Sequence, residues 1–264
     1  MEKLIETIIL GIIQGLTEWL PISSTGHLKI FEYFFNLSTP FLFEIALHIG
    51  TLIVVVFFFR KDIKNILSAL AHLDFKTENG KLIPLIIVGT IPTAIIGVIY
   101  VEFLESAFQT ILPIGIAFII GGTLVYLSKT GKENTDNINY LAAILIGTAQ
   151  GIATIHGISR SGATIAVALL FGLKREKAFK FTFLLSIPAI LGALGLTFYK
   201  ERAMLASTGI GYTELAAGVV AATLVGYFAL KLLQRILATK KFHCFAFYTW
   251  VLGALLIAFS LSGF

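Results

Sequence analysis

The chain has 264 residues, 57% of them hydrophobic and 13% charged, and its mean hydropathy is +0.91. Soluble domains carry about 25% charged residues, so these figures exclude a soluble enzyme and indicate a polytopic membrane protein. The formal charge of +5 does not point to nucleic acid, because the basic residues sit in short loops between apolar runs, where they act as topology signals.

Apolar stretches cover 4–20, 24–37, 41–59, 83–101, 111–128, 140–155, 162–173, 181–199, 212–230 and 242–262. The first is not a convincing signal peptide, because Glu6 and Glu18 interrupt it and no small-residue cleavage site follows. A helix that crosses a bilayer needs about 20 residues. Six stretches approach that length: 41–59, 83–101, 111–128, 181–199, 212–230 and 242–262. The other four are mostly shorter and more polar. They read as two re-entrant helical hairpins, whose non-helical tips require surrounding protein or a wet cavity. The single cysteine, Cys244, excludes an internal disulfide and is expected to be a buried, inert thiol. Met204 and the phenylalanines are expected to face lipid or pack.

The two hairpins carry related motifs. The first runs from Gly11 to His27, the second from Gly147 to Ala163. A constant offset of 136 pairs Gly11 with Gly147, Gln14 with Gln150, Gly15 with Gly151, Ser23 with Ser159 and Gly26 with Gly162. Weaker echoes pair the segment from Gly89 to Gly97 with that from Gly218 to Gly226, and the segment from Gly121 to Ser128 with that from Gly253 to Ser260. Those glycines read as helix-packing positions.

Most lysines and arginines fall in loops 60–82, 129–139, 173–180 and 231–241. These share one face, expected to be cytoplasmic, only if each hairpin returns to the face it entered from. Lys3, Lys29, Lys200 and Arg202 then lie on the other face, with both termini. Each half becomes a hairpin plus three spans, and three is odd, so the second half enters from the opposite side. The expected fold is therefore an all-α polytopic membrane protein built as an inverted-topology repeat. It is one membrane domain over 1–264, with repeat one at 1–130 and repeat two at 136–264. The tips should meet near the midplane, where such folds place their site.

Gln14 and Glu18 share a face of the first hairpin arm, and an acid in an apolar segment marks a functional site or a paired charge. Ser23, Ser24, Thr25, Gly26 and His27 read as a helix start with unpaired amides, and Ser159, Arg160, Ser161 and Gly162 read as its partner. Two converging helix N-termini make an anion site, and the Arg160 fork suits phosphate. His27 lies one helical turn after Ser24, which permits an imidazole base or acid beside a serine nucleophile. Ser24 is the first choice of nucleophile; the alternative assignment makes His27 the nucleophile and Ser24 a phosphate ligand. His48 is expected to pack or bond to backbone. His72 falls in a basic loop, His243 starts the last span, and His156 adjoins the second motif. Glu44 starts a span near the outer face. A phosphate pocket inside a bilayer suggests an amphiphilic phosphorylated substrate.

At Gln14-Gly-Leu-Thr-Glu18-Trp-Leu-Pro21-Ile-Ser-Ser-Thr-Gly-His27 and Gly157-Ile-Ser-Arg160-Ser-Gly162 the chain resembles the undecaprenyl-diphosphate phosphatase family, also called the bacitracin-resistance protein family. The resemblance covers essentially the full length. It implies a multi-pass plasma-membrane enzyme that hydrolyses a C55 polyprenyl diphosphate to the monophosphate and inorganic phosphate, recycling the carrier for cell-wall glycans. It also implies bacitracin resistance on overproduction, hydrolysis on the outer side, and functional roles for Glu18, Ser24, His27 and Arg160. A divalent cation, Mg²⁺ or Ca²⁺, is implied, with Glu18 as its ligand. Gln14, Ser23, Thr25, Gly26, Ser159, Ser161 and Gly162 complete the expected substrate site. Two positions depart from the pattern: Gln14 stands where glutamate is frequent, and His156 where proline is usual. The expected partners are the lipid diphosphate and the bilayer, with a homodimer as a candidate assembly. The rival reading is a transporter or flippase of a lipid phosphate or another anion, since broken helices in inverted repeats are a transporter plan.

Overall fold

A computed structural model describes residues 2–35, 41–201 and 211–262 of the chain. Arg202, Met204 and the end of the 24–37 stretch lie outside them. Eleven α-helices form among the described residues: α1 (Glu2–Trp19), α2 (Ser24–Phe35), α3 (Phe41–Phe58), α4 (Arg60–Ala71), α5 (Leu82–Ile99), α6 (Ile111–Leu127), α7 (Tyr140–Ile152), α8 (Arg160–Leu170), α9 (Arg175–Glu201), α10 (Tyr212–Ala238) and α11 (Phe245–Leu261). The β-pairing among them is one isolated bridge, Thr135 with Leu173.

Five helical segments are long and apolar enough to cross a membrane, and a sixth forms if α3 and α4, bent by 77°, count as one span. Their outward faces are apolar. Ile87, Ile91 and Ile95 on α5, Val220, Leu224 and Phe228 on α10, and Val251 and Leu255 on α11 are all exposed at helical spacing. Such stripes are stable only against lipid.

The expected spans form, but several expected loops are helical. Residues 60–71 make α4, most of 173–180 is the start of α9, and α10 runs on to Ala238. In each case the segment is amphipathic, so one side packs while its lysines reach outward. Cys244 is a correction: it is exposed, because it ends a 3₁₀ turn before α11 on the side away from the bundle.

Ion pairs tie the basic segments to one end of the molecule. Lys180 meets Asp62 at 2.6 Å and Asn79 at 3.0 Å, and Lys177 pairs with Glu78. Arg175 meets Glu133 at 2.6 Å and donates to the Leu237 carbonyl at 3.3 Å. Lys200, at the far end of α9, pairs with Glu102.

Small residues let helix axes approach. A Cβ on Gly15 would lie 2.9 Å from the Gly226 nitrogen in the α1–α10 contact, and one on Gly147 would lie 2.9 Å from Gly89 Cα in the α7–α5 contact. Gly89, Gly218 and Gly226 are packing positions, as expected. Gly97 is not: its nearest neighbour would be Thr154 Cγ2 at 3.9 Å, and it borders a cavity. Helix α8 lies in the centre, with Ile165, Ala166, Ala168 and Leu169 buried in one apolar cluster that also holds Leu185, Leu230 and Leu233.

Candidate active site

Pro21 follows α1, and its missing N–H and ring ensure that the helix stops at Trp19. The chain turns through Ser23, at φ +68°, into α2. A non-glycine residue in this region costs about 1 kcal/mol, and the hydroxyl it aims offsets that. Ser23 Oγ accepts from Gly26 N–H at 3.3 Å and from Gly157 N–H, on the other hairpin, at 3.2 Å. The second tip is built alike. Ser159 caps α8, its Oγ accepting from Gly162 N–H at 3.1 Å. Ser159 and Ser161 each donate to the Leu20 carbonyl, at 3.4 and 3.2 Å. The two tips are thus stitched together by their own hydroxyls. Gly26 and Gly162 are glycines for the same reason: an added Cβ at Gly26 would sit 2.7 Å from the Phe118 ring, and one at Gly162 would press on Val125 and Pro21.

Glu18 is the centre of this junction. Its side chain is 5% exposed. One carboxylate oxygen accepts from Ser24 Oγ at 2.6 Å and from Gln14 Nε2 at 3.1 Å. The other is paired with Arg160, whose guanidinium lies 5.5 Å from the centre of the Trp19 ring. Glu18, Ser23, Ser24, Thr25, Ser159 and Arg160 all border one cavity of about 520 Å³. Its other walls are mostly apolar and come largely from α5 and α9, among them Gly97, Val98, Ala189 and Leu196, with Ile45 and His48 of α3 and Gln150 of α7 completing them. A polar end and an apolar flank suit a charged head group that carries a hydrocarbon tail.

The structure brings together every residue singled out at the two tips, except that His27 does not join Ser24. Its Nδ1 lies 2.7 Å from the Ser23 carbonyl and its Nε2 2.7 Å from the Tyr248 hydroxyl. The ring stacks on Tyr248 and meets Phe118 edge-on. The Ser24 hydroxyl is held by Glu18 instead. Spacing of three on a helix permitted the Ser24–His27 pair; the carboxylate six residues before Ser24 outcompetes it. His48 makes the backbone bond expected of it, and Gln150 entered the sequence reading only as the counterpart of Gln14; with Tyr100 and Thr93, which that reading passed over, both also border the cavity. Their polarity inside apolar helices was the available signal.

The family resemblance implies a divalent cation. Both Glu18 oxygens already accept bonds, and the unpartnered buried oxygen beside them is the neutral Oε1 of Gln14. Among the described residues no three His, Cys, Asp or Glu side chains converge as an ion would need. The side chains present do not fit a resident cation, and no step below runs through one.

A buried acid–arginine pair at two capped helix starts, set in a lipid-facing bundle, defines an integral membrane protein with a site for a phosphate-bearing amphiphile. The chain belongs to the family described as Bacitracin resistance protein BacA, which matches residues 7–255. It is 43% identical to an undecaprenyl-diphosphatase of Carboxydothermus hydrogenoformans over 265 residues, covering 98% of each chain. It is 40% identical to one of Halothermothrix orenii, covering 97% of each. A Methanosphaera stadtmanae protein of the same name is 37% identical, over 98% of this chain and 99% of its own.

Proposed function

We propose that this protein is an undecaprenyl-diphosphate phosphatase of the plasma membrane, which releases inorganic phosphate from a C55 lipid diphosphate. The observation that carries the reading is the Glu18–Ser24–Arg160 cluster, at one end of a cavity whose remaining walls are mostly apolar. Phosphoryl transfer asks the protein mainly for positioning and charge neutralisation. Arg160 and the free amides at the starts of α2 and α8 hold the diphosphate. Ser24 is the nucleophile, and Glu18, 2.6 Å away, takes its proton as Oγ bonds to the terminal phosphorus. The bond from phosphorus to the bridging oxygen breaks, and the lipid monophosphate leaves. Ser23, Thr25, Gly26, Ser159, Ser161 and Gly162 shape the cradle, and Gln14 orients Glu18. His27, anchored to Ser23 and Tyr248, positions the turn. A divalent cation, Mg²⁺ or Ca²⁺, comes with the diphosphate rather than from a protein-held site.

The halves 1–130 and 136–264 form an inverted repeat in this reading. Matched features support it. Ser23 and Ser159 make the same capping bond three residues on. Gln14 and Gln150 each keep an unpartnered Oε1. Helix α1 packs on α10 as α7 packs on α5. The end holding the basic segments faces the cytoplasm, and the catalytic cavity opens to the outside.

Purified protein in detergent, given a long polyprenyl diphosphate and Mg²⁺, should release inorganic phosphate, and Ser24→Ala should not. Near-normal turnover by Ser24→Ala would remove the serine from the reaction. Transbilayer movement of lipid without phosphate release would mark a carrier instead.

A further inference from the structure

We propose that His48 is a second catalytic residue, the base that removes a proton from the water that hydrolyses phospho-Ser24. The inference rests on the reading of Ser24 as nucleophile and adds the group that the second half-reaction lacks.

Three observations carry it. First, His48 on α3 borders the same cavity as Glu18, Ser24 and Arg160, whereas His27 does not border it and has a partner on each ring nitrogen. Second, His48 Nδ1 lies 2.8 Å from the Glu44 carbonyl. A carbonyl only accepts, so Nδ1 carries the hydrogen and Nε2 holds the lone pair of the neutral ring. The backbone thus fixes the tautomer a base needs. Third, the chemistry leaves a proton unplaced. In the first step Glu18 takes the Ser24 proton and stays hydrogen-bonded to that oxygen. In the second step a water oxygen bonds to phosphorus and the P–Oγ bond breaks. Oγ recovers its proton from Glu18, so the proton shed by the water requires another acceptor. His48 Nε2 takes it and later passes it to solvent. Each diphosphate hydrolysed thereby releases one proton net.

The other titratable groups on the cavity wall are Glu18 from α1, Glu44 from α3, Arg160 from α8, and Tyr100, Glu105 and His156. Lys29 of α2 acts on Glu44 electrostatically. Arg160 and Glu18 neutralise one another, and His156 Nδ1 is turned to the Phe108 carbonyl, 3.3 Å away.

Two variants test the assignment. His48→Asn keeps an amide donor near the Glu44 carbonyl but ends short of Nε2. His48→Gln keeps a neutral polar tip. General-base catalysis is worth about 10²–10⁴-fold, so both variants should lose at least about 100-fold in kcat, and KM should fall with it while kcat/KM holds, because the slowed step follows formation of the phosphoenzyme. Both should accumulate phosphate on Ser24, seen by mass spectrometry of the quenched protein during turnover. Unchanged melting temperature confirms that either variant is folded. A kcat near wild type, or slowing without phosphoserine, in a folded variant overturns the role of His48. If Ser24→Ala still turns over, the underlying reading fails instead, whatever His48 does.

Discussion

Replacing Glu18 by glutamine keeps the shape of the side chain and removes its charge. Arg160 then faces a neutral amide, while its side chain stays only 18% exposed. Removing one partner of a buried ion pair costs about 3–5 kcal/mol when the surviving charge is sealed from water. Arg160 retains some access and the Trp19 ring at 5.5 Å, which places the expected cost near the lower limit, about 3 kcal/mol. In a chain of this length 1 kcal/mol moves the melting temperature by about 2–4 °C, so the variant should melt about 6–12 °C lower. Arg160→Gln should do the same by stranding the carboxylate. The double variant should be more stable than the two losses predict, by about 1–3 kcal/mol, because contacting residues couple. Thermal unfolding of the four proteins in one detergent measures all of this, with phosphate release as the parallel readout. Losses that simply add, or single variants melting within about 2 °C of wild type, would refute a Glu18–Arg160 link between the hairpins.

Gly147→Leu would drive a side chain into the Gly89 backbone and should cost about 1–3 kcal/mol by overpacking, whereas Gly192→Ala, with open space around it, should gain about 0.5–1 kcal/mol in melting experiments. Tyr248→Phe removes the hydroxyl at His27 Nε2 and should cost about 1 kcal/mol, slowing turnover less than tenfold while KM stays put. Chelation with EDTA should abolish phosphate release, and calorimetry should find tight cation binding only when a non-hydrolysable lipid diphosphate is present; tight binding to the protein alone would refute the absence of a resident site. With the exposed Cys244 changed to serine, an impermeant thiol reagent added outside cells should label Glu105→Cys and spare Lys64→Cys.

Much of the fold is legible in the chain because the membrane leaves few choices. A run such as 212–230 has no other use for its apolar side chains, and the lysine-rich segments can share a face only if both hairpins turn back. The boundaries are less legible, since residues 60–71 carry enough amphipathic pattern to coil after the span has ended. The site follows the same division. Ser23, Ser24, Ser159 and Arg160 announce themselves as helix starts through local rules. The partner of Ser24 does not, because the choice between Glu18 and His27 is decided by Tyr248, on a helix more than two hundred positions away. Neither does His48: its value lies in which cavity α3 is packed against, and periodicity within α3 cannot show that. Gly97 and Gly226 read alike in the chain and differ in the fold, one bordering the cavity and the other packed at Trp19.

The most direct measurement is a single-turnover reaction of the purified protein with a radiolabelled polyprenyl diphosphate carrying its label on the terminal phosphate. The account predicts that label appears first on Ser24 and then as inorganic phosphate, and that Glu18→Gln and Arg160→Ala yield neither. Free phosphate formed with label on His27, or with no labelled protein at any time, would contradict it.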